Sequence, residues 1–531
     1  MSPRAVFFLI SIALLAGIGA AAQLWPPAYF AYALVAPLVL LGIYDVLQRD
    51  HAILRNFPIV GHGRYLLEAV RPEISQYFIE QNHDGRPMTR EQRSIVYQRA
   101  KGELSTLPFG TQLDTGAVGY EWINHSMLCV DHAPEAPRVR FGASRKAPYD
   151  AALLNVSAMS YGSLSKNAIL ALNEGAKRGG FYHNTGEGGL SDYHLQPGGD
   201  IVWQIGTGYF GCRGADGGFD LACFSDNAAK PSVKMIEVKL SQGAKPGHGG
   251  ILPAAKITPE IARIRGVPMG QDVLSPPRHR TFSTPIGLLE WIETLREASG
   301  GKPVGFKLCL GKRHELMAVV KAMKKTGIVP DYIAVDGGEG GTGAAPLEFS
   351  NSIGSPLPEA LVFVHNTLVG FGVRDEVKIV ATGKVVTGFD IARLCAIGAD
   401  ITCSARAMML ALGCIQALRC NSNHCPTGVA TQDPALMKGL DIEDKADRVH
   451  CFQRDTVKAM MEVVGAAGLE HPGALRPWHI KRRTNEITVK HYGEIFVGLQ
   501  PGQLLSDDVP EPYRRPFEAS QADSFAYVGP T

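Results

Sequence analysis

The sequence predicts an α/β fold, a (β/α)8 TIM-type barrel that follows an N-terminal transmembrane helical hairpin. Three features predict it: an uncharged stretch at the amino end, eight short apolar runs after about residue 150, and glycine-rich loops behind several of those runs. The chain has 531 residues, of which 45% are hydrophobic and 20% are charged. That length suits one large barrel with additions, and the composition excludes a disordered chain.

Charge and cysteine content exclude two other classes of protein. Lys and Arg number 53 and Asp and Glu number 51, and the net charge of +2 is too small to form a surface for nucleic-acid phosphates. Ten cysteines in a chain of this length are too dilute for a secreted disulfide framework.

The amino end has the pattern of two membrane spans. No charged residue lies between Arg4 and Asp45, and Leu24-Trp-Pro-Pro27 interrupts this stretch. A single helix of that length would be about twice as long as the ~30 Å hydrocarbon core, and a pair of prolines cannot continue a helix. We therefore expect two membrane-spanning helices, at about residues 5–22 and 28–44.

The flanking charges predict how this hairpin is oriented. The loop between the spans carries no Lys or Arg, whereas Arg4, Arg49, Arg55 and Arg64 flank the outer ends. The positive-inside rule then predicts a hairpin in the inner (cytoplasmic) membrane with the following domain facing the cytoplasm. A signal peptide cleaved near Gly19–Ala22 is the alternative, which the second apolar run disfavours.

The eight apolar runs are predicted to be the strands of the barrel, because helix-like stretches follow most of them. One such helix is clear, with Ser165 as its N-cap and an apolar face that continues up to Gly179. The third run is the weakest, because residues 209–224 compete for its place. The runs are Leu153–Ser157, Phe181–Thr185, Ile201–Ile205, Met235–Leu240, Val304–Leu308, Tyr332–Val335, Lys378–Ala381 and Asp400–Cys403.

Four loops behind these runs combine glycines with charged or hydroxyl side chains. They are Ser157–Gly162, Thr185–Gly189, Gln242–Gly250 and Asp336–Gly343. In a barrel such loops converge on the mouth at the carboxyl ends of the strands, where active sites lie. A dinucleotide site is the alternative for Gly338–Gly343, which has G-x-G-x-x-G spacing. Prolines in the segment that follows disfavour it.

The last two strands are predicted to carry a phosphate site. Gly383, Lys384 and Gly388 follow the seventh strand, and Ser404 and Arg406 follow the eighth. Barrels commonly bind phosphate at this position with backbone N–H groups, and a phosphorylated cofactor such as FMN fits there.

Three cysteines form a candidate metal site. Cys414, Cys420 and Cys425 lie within twelve residues, and three thiolates so close together repel one another unless they bind a metal centre. An iron–sulfur cluster is favoured by the Cys425-Pro426 ending. Zinc, with His424 as the fourth ligand, is the alternative.

At this point the sequence resembles a known family. Residues 150–435 are similar to the FMN-binding synthase domain of glutamate synthases, and residues 413–432 are similar to that family's 3Fe-4S ligand stretch. The other matching motifs occur in the same order along the chain. They are Ser157–Ser160, Thr185–Gly189, Gln242–Gly247, Ser275–Pro277, Gly340–Ala344 and the Gly383 loop.

The resemblance implies cofactors and a reaction. It implies FMN, a 3Fe-4S cluster on Cys414, Cys420 and Cys425 that passes single electrons to the flavin, and reduction of a 2-imino acid made from 2-oxoglutarate and ammonia. It also implies the site residues. Glu187, Lys245 and Arg265 are expected to be catalytic, and the residues expected to bind FMN are Ser157, Ala158, Met159, Ser160, Gly383, Lys384, Gly388, Ser404 and Arg406.

The expected domain limits follow from the same pattern. They are a transmembrane hairpin at 1–48, a polar connector at 49–110, the FMN-binding glutamate synthase-like domain at 111–470 and a C-terminal extension at 471–531. The match departs from the family at two positions. The family has Glu where His248 stands and a substrate-contacting Gln where Ile251 stands, which bears on the identity of the oxo acid.

The resemblance extends neither to a glutaminase nor to an NAD(P)-binding domain. Ammonia or another amine is therefore expected from solution or from a partner, and electrons from a ferredoxin-like protein. Two alternatives stay open. One is an N-substituted glutamate synthase that acts on another amine, and the other is a membrane-bound electron-transfer or redox subunit without turnover.

Overall fold

The computed structural model describes residues 1–103, 106–131 and 135–529. The chain divides into two compact units, Met1–Arg90 and Glu91–Thr531. The last two residues of the predicted C-terminal extension, 530 and 531, lie outside the described residues.

The first unit is helical. Its two long helices are interrupted at Trp25, as predicted, and they pack side by side, with Tyr32 Oη donating to Leu15 O at 2.7 Å. Its elements are α1 (Pro3–Leu24), a 3-10 turn (Pro26–Ala31), α2 (Tyr32–Leu47), α3 (Ala52–Asn56), α4 (Gly61–Ile74) and a π-helical turn (Ser75–Ile79).

The length and composition of these two helical segments suit membrane spans. Pro3–Leu24 and Pro26–Leu47 each have 22 residues. The most apolar 18 residues of each have mean hydropathies of 2.4 and 2.0, and only 11% of those residues are buried. A globular core would bury such apolar helices.

The second unit contains the barrel. Its strands are β1 (Glu121–Ile123), β2 (Val139–Phe141), β3 (Tyr149–Ala151), β4 (Leu154–Val156), β5 (His183–Asn184), β6 (Ile201–Ile205), β7 (Val233–Lys239), β8 (Ile251–Leu252), β9 (Val273–Leu274), β10 (Val304–Leu308), β11 (Tyr332–Asp336), β12 (Lys378–Thr382), β13 (Ile401–Ser404), β14 (Ile480–Arg483) and β15 (Val489–His491).

Eight of these strands close into a parallel barrel in the order β4-β5-β6-β7-β10-β11-β12-β13. Closure occurs where β13 pairs with β4, with Thr402 opposite Leu154. The predicted TIM-type fold is confirmed, and each of the eight predicted runs overlaps one barrel strand, with ends that differ by at most two residues. The competing stretch at 209–224 contributes no barrel strand; its last residues begin the helix Leu221–Ala228.

Helices follow the strands and cover the barrel. The predicted helix after the first barrel strand is confirmed, because Ser165 Oγ accepts from Ala168 N at 3.2 Å and Gly180 ends the helix in the left-handed region. The helices are α5 (Arg90–Ala100), α6 (Lys166–Gly179), α7 (Asp192–Leu195), α8 (Leu221–Ala228), α9 (Pro259–Arg265), α10 (Pro285–Ala298), α11 (Arg313–Thr326), α12 (Leu347–Ser352), α13 (Leu357–Gly370), α14 (Gly388–Ala396), α15 (Arg406–Ala411), α16 (Pro434–Met437), α17 (Ile442–Ala466), α18 (Tyr492–Ile495) and α19 (Glu511–Glu518).

An apolar floor closes the amino end of the barrel. The hairpin β2–β3 contributes Phe141 and Tyr149 to a buried cluster with residues near the starts of the strands, such as Tyr332 and Ile401. The rings of Phe141 and Tyr332 meet edge to face at 5.5 Å. The interior is thus filled at this end, and the opposite end is left for polar chemistry.

Candidate active site

Strand β7 shows how the barrel interior changes from apolar to charged. Side chains of a strand alternate between its two faces, so Met235, Glu237 and Lys239 lie on the same face. Met235 belongs to the apolar floor. Glu237 is buried and accepts from Asn184 Nδ2 at 2.8 Å and from Gln204 Nε2 at 2.7 Å. Lys239 lies at the end of the strand, at the mouth.

Glu187, on the loop after β5, is surrounded by cations. Its carboxylate lies 2.8 Å from Lys239 Nζ and 4.0 Å from Lys245 Nζ. Burial alone would raise the pKa of the Glu187 carboxyl, but the charges of Lys239, Lys245 and Arg265 outweigh it and lower the pKa to about 2. Glu187 is therefore ionised at every physiological pH.

Lys245 and Arg265 are buried at the same mouth, where sequence analysis expected them. Their side chains are 3% and 5% exposed. Burial lowers the pKa of Lys245 to about 8, although Glu187 acts in the opposite direction. Burial also lowers the pKa of Arg265 to about 10, so its guanidinium stays charged at neutral pH.

The Arg265 guanidinium is fixed by two contacts, and one of its N–H donors has no partner among the described residues. Its Nη2 donates to Tyr161 O at 2.9 Å, and its carbon lies 5.2 Å from the ring centre of Phe210, within cation–π distance. Its buried Nε has no hydrogen-bond partner among the described residues. A buried donor without a partner is rare, and it calls for an acceptor that the described residues do not supply.

The predicted flavin-face loop follows β4 directly. Ser157 N donates to Ser404 O at 3.0 Å, and Ser157 Oγ lies 3.2 Å from Thr382 Oγ1, so the loops after β4, β12 and β13 meet. Met159 and Ser160 are buried and Ala158 is partly buried. Met159 N donates to Asn184 O at 3.1 Å, which ties the loop to β5.

Four of the five residues predicted to hold phosphate lie in adjacent loops. Gly383 and Lys384 both have positive φ, at 146° and 50°, so the backbone turns sharply behind β12. Ser404 Oγ donates to Val385 O at 2.8 Å. Arg406 donates to Glu339 O at 2.5 Å and thereby joins the Asp336–Gly343 loop to this pair.

Gly388 has a packing role that sets it apart from those four. It opens α14, and a Cβ atom there would lie 2.3 Å from Met460 N in α17. The close approach of the two helices therefore requires glycine at this position. The N-terminus of α14 is capped within the chain, by Thr387 and Asp390.

A second buried ion pair lies beside the first and was not predicted. Lys307 Nζ lies 3.2 Å from Asp336 Oδ2, and Gly243 N donates to the same oxygen at 3.0 Å. This pair is neutral overall and fixes the Gln242–Gly250 loop to β11. Lys239 was also not predicted, because it lies within a strand and the predicted site residues lie in the loops. A lysine in the apolar run Met235–Leu240 was the available signal.

The three cysteines of the candidate metal site lie within electrostatic range of one another. Burial raises the pKa of Cys414 to about 12, and the charges of Cys420 and Cys425 act in the same direction. At Cys425 burial acts in the same direction, but hydrogen bonds from Thr427 and from backbone N–H groups outweigh it and lower the pKa. Backbone N–H groups directed at a sulfur favour its thiolate form.

The backbone between these cysteines is unusual. Gln416, Leu418 and Asn423 all have positive φ, between 55° and 65°. Such conformations are uncommon for residues other than glycine and are concentrated at functional sites. The loop is thus held in a conformation that local preferences alone would not select.

The side chains of this segment do not form an assembled site for a single metal ion such as zinc. A zinc ion at about 2.3 Å from each sulfur requires ligands about 4 Å apart. Within the described part of the chain, no three His, Cys, Asp or Glu side chains are close enough to hold a metal ion in this way. His424, the suggested fourth ligand, is exposed.

Lys256 connects the cysteine segment to the flavin-face loop and was also missed. Its buried Nζ donates to Ser163 O at 2.6 Å and to Cys420 O at 2.9 Å. A cation is therefore fixed between the loop after β4 and the second cysteine.

The two departures from the family pattern lie near the same mouth. His248 follows Lys245 in the Gln242–Gly250 loop, and its ring meets Phe349 edge to face at 5.2 Å. Ile251 begins β8, where it pairs with Leu274 of β9.

Comparison with known proteins agrees with this architecture. The conserved region in glutamate synthase matches residues 128–470. The glutamate synthase large subunit-like protein YerD of Bacillus subtilis (strain 168) is 36% identical over 495 residues, which cover 85% of this chain and 94% of that protein. An archaeal glutamate synthase (NADPH) of Methanocaldococcus jannaschii is 36% identical over 322 residues, 60% of each chain.

Among solved structures, a mandelate oxidase with benzoyl-formic acid is 15% identical with a TM-score of 0.42, and the match covers 81% of this chain and 98% of that one. The family match covers more than half of the chain, and the Bacillus relative is matched over nearly its whole length. The chain therefore belongs to the glutamate synthase family and is a glutamate synthase-type oxidoreductase.

Proposed function

We propose that the protein is an FMN- and iron–sulfur-dependent enzyme that reductively aminates a 2-oxo acid, converting 2-oxoglutarate to glutamate with ammonia or a partner-supplied amine. In this reaction the oxo acid and ammonia lose water to form a 2-imino acid. Two electrons and two protons then reduce its carbon–nitrogen double bond.

The charge of the buried cluster at the mouth carries this proposal. Lys239, Lys245 and Arg265 surround one carboxylate, Glu187, and the neighbouring Lys307–Asp336 pair is neutral. The cations around Glu187 therefore outnumber its single negative charge, and the carboxylate of Glu237, deeper on the same face of β7, offsets only part of this excess. A dicarboxylate supplies two negative charges, and burying unpaired charges without such a ligand is costly.

Each cationic residue has a distinct task in this proposal. Arg265 binds a substrate carboxylate, for which its Nε is free and its guanidinium plane is already fixed. Lys245 also binds the substrate. With a pKa of about 8, it is the cation of the cluster that can release a proton near neutral pH. Glu187 keeps Lys239 and Lys245 in position.

The residues fit FMN as the cofactor. The Ser157–Ser160 loop would face the flavin ring, and Gly383, Lys384, Ser404 and Arg406 would hold the phosphate, with Gly388 supporting them through its contact with α17. When bound, FMN supplies the hydride. The closely joined loops after β4, β12 and β13 keep bulk water from that face.

The close spacing of the three cysteines in the sequence, with Pro426 after the last of them, supports a 3Fe-4S cluster. A multinuclear cluster takes one thiolate per iron, so its ligands lie farther apart than those of zinc. Cys414, Cys420 and Cys425 interact electrostatically with one another, and backbone N–H groups favour the thiolate of Cys425. A ferredoxin-like protein is the proposed electron donor.

We further propose that α1 and α2 form a hairpin in the inner membrane, with the barrel facing the cytoplasm. Both helical segments are long and apolar enough to cross a bilayer. Arginines flank only the outer ends of the pair, and this asymmetry supports the cytoplasmic orientation.

The function is tested with anaerobically purified full-length protein, 2-oxoglutarate, ammonia and reduced ferredoxin, with glutamate measured by mass spectrometry. We expect glutamate formation, together with flavin and iron–sulfur bands in the absorption spectrum. Methylamine in place of ammonia tests the N-substituted alternative, because it would yield N-methylglutamate. Oxidation of ferredoxin without any amino acid product would favour the electron-transfer alternative and contradict the proposal.

A further inference from the structure

The helix that follows the predicted hairpin has an exposed apolar stripe. Leu67, Val70, Ile74 and Phe78 are spaced by three, four and four residues, so they share one face of α4 and its π-helical end. They are 65%, 38%, 39% and 85% exposed. Contiguous apolar side chains at a surface mark an interaction site.

The rest of α4 is held against the hairpin end, so the stripe cannot rotate inward. His62 Nε2 lies 2.9 Å from the buried Asp45 carboxylate at the end of α2. The Tyr65 ring lies 5.3 Å from the ring of His51. These two contacts occupy the side of α4 that faces the first three helices, and the stripe lies on a different side.

Contacts with the start of α1 and the end of α2 fix the position of the segment just before α4. Asp45 Oδ2 accepts from Ile59 N at 2.8 Å, just before α4. At the start of α1, Arg4 Nε donates to Arg55 O at 2.6 Å and Arg4 Nη2 donates to Asn56 Oδ1 at 2.8 Å. If the hairpin crosses a membrane, both of its ends lie at the membrane–water boundary, and so does the first turn of α4.

The charges beside the stripe suit that boundary. Arg64 and Arg71 are exposed on the side of α4 that adjoins the stripe. Arginines in this position can extend toward lipid headgroups while their aliphatic stems cover apolar surface. Glu68, which lies farther from the stripe, is exposed and pairs with Arg64 at 2.8 Å.

We propose that α4 and its π-helical end form an interfacial membrane helix, with the apolar stripe buried at the boundary between headgroups and acyl chains. This inference rests on the proposed membrane hairpin. The partner is a lipid surface and not a second copy of the chain, because stable protein interfaces use about 20–30 residues on each side. The stripe offers four side chains, and a bilayer accepts apolar area of any size.

The test uses full-length protein in nanodiscs that contain lipids with a nitroxide quencher near the headgroup or at the chain end. A fluorescent amino acid is placed at Val70, at Glu68 as the matched control on the polar side, and at Leu14 within α1. We expect headgroup-region quenchers to reduce emission at Val70 several-fold more than at Glu68, and chain-end quenchers to act at Leu14.

The three positions separate the two proposals. Quenching at Leu14 with equal, weak quenching at Val70 and Glu68 would retain the hairpin and overturn the interfacial helix. No quenching at Leu14 would overturn the hairpin and the helix together. Protection of Val70 that depends on protein concentration and not on the lipid quencher would assign the stripe to a second copy, which also overturns the proposal.

A substitution supplies an independent readout. In Val70→Glu the stripe carries a charge, and because Val70 is exposed the fold should be unaffected. We expect amide hydrogen exchange across residues 61–79 to become several-fold faster in nanodiscs, with no change in Glu68→Gln. Equal exchange rates in Val70→Glu and the parent protein would contradict membrane burial of the stripe.

Discussion

Arg265 is the residue on which the proposed substrate site most depends, because its guanidinium is fixed by Tyr161 and Phe210 while no described residue pairs with its Nε. Replacement by alanine removes a charge-assisted hydrogen bond, worth about 1.5–3 kcal/mol, so Arg265→Ala should weaken oxo-acid binding by roughly tenfold to a hundredfold. The affinity for the oxo acid is measured by adding the oxo acid in steps and following the flavin absorption spectrum.

The control for this substitution lies on the same helix. Arg263 is exposed, so Arg263→Ala should bind the oxo acid like the parent protein. The flavin spectrum without substrate should be unchanged in both variants. If Arg265→Ala binds every tested oxo acid as well as the parent, the substrate site lies elsewhere.

Lys245 predicts how the reaction depends on pH. Burial lowers its pKa to about 8, so its positive charge is present below that pH and is lost above it. Because Lys245 binds a substrate carboxylate in the proposed function, kcat/KM for the oxo acid should fall as the pH rises through about 8. Lys245→Arg should stay charged and flatten this decline, and a pH profile unaffected by Lys245→Arg would contradict the assignment.

Ile251 bears on which oxo acid the enzyme prefers. The resembling family has a glutamine at this position, and a missing hydrogen-bond partner in a dry site costs about 1–3 kcal/mol. If 2-oxoglutarate is a poor substrate of this enzyme, Ile251→Gln should lower its KM. Comparison of KM values for several oxo acids in both proteins measures the effect, and a higher KM in the variant would argue against this role.

Among the elements, the cysteine segment carries the most specific expectation. Replacement of Cys414, Cys420 or Cys425 by serine should remove the iron–sulfur signal while FMN stays bound, because the proposed phosphate site lies in other loops. Loss of the cluster is measured by iron content and by the low-temperature electron paramagnetic resonance spectrum. Cys129 is exposed and far along the chain from this segment, so Cys129→Ser is the control and should keep all its iron.

The barrel strands were predictable from the sequence, but several side chains at and near the mouth were not. Most barrel strands are short β-branched or apolar runs, a signal that survives without tertiary information, whereas β5 (His183–Asn184) is polar and is marked only by the aromatic residues just before it. Lys239 was missed because its role depends on alternation along β7 and on Glu187 from another loop. Phe210 and Lys256 act through contacts with Arg265 and Cys420 that are distant in sequence, so local patterns could not reveal them.

On the scale of the whole molecule, the membrane topology is the main prediction. A reporter fused after the carboxyl end should be active on the cytoplasmic side, and a reporter inserted in the Gln23–Pro27 loop should be active on the outer side. The reason is that arginines flank only the outer ends of the two spans. A carboxyl-terminal reporter active only outside the cytoplasm would contradict the hairpin and the orientation of the barrel.

The floor made by Phe141, Tyr149 and the strand starts has a consequence for turnover. Because the described residues fill the amino end of the barrel, the oxo acid of the proposed reaction should enter, and the amino acid should leave, through the mouth at the carboxyl ends of the strands. Entry and exit then compete for one passage and one set of cations. In the proposed reaction, glutamate should therefore be a competitive inhibitor against the oxo acid. The more tightly it binds to Arg265 and Lys245, the lower its inhibition constant should be.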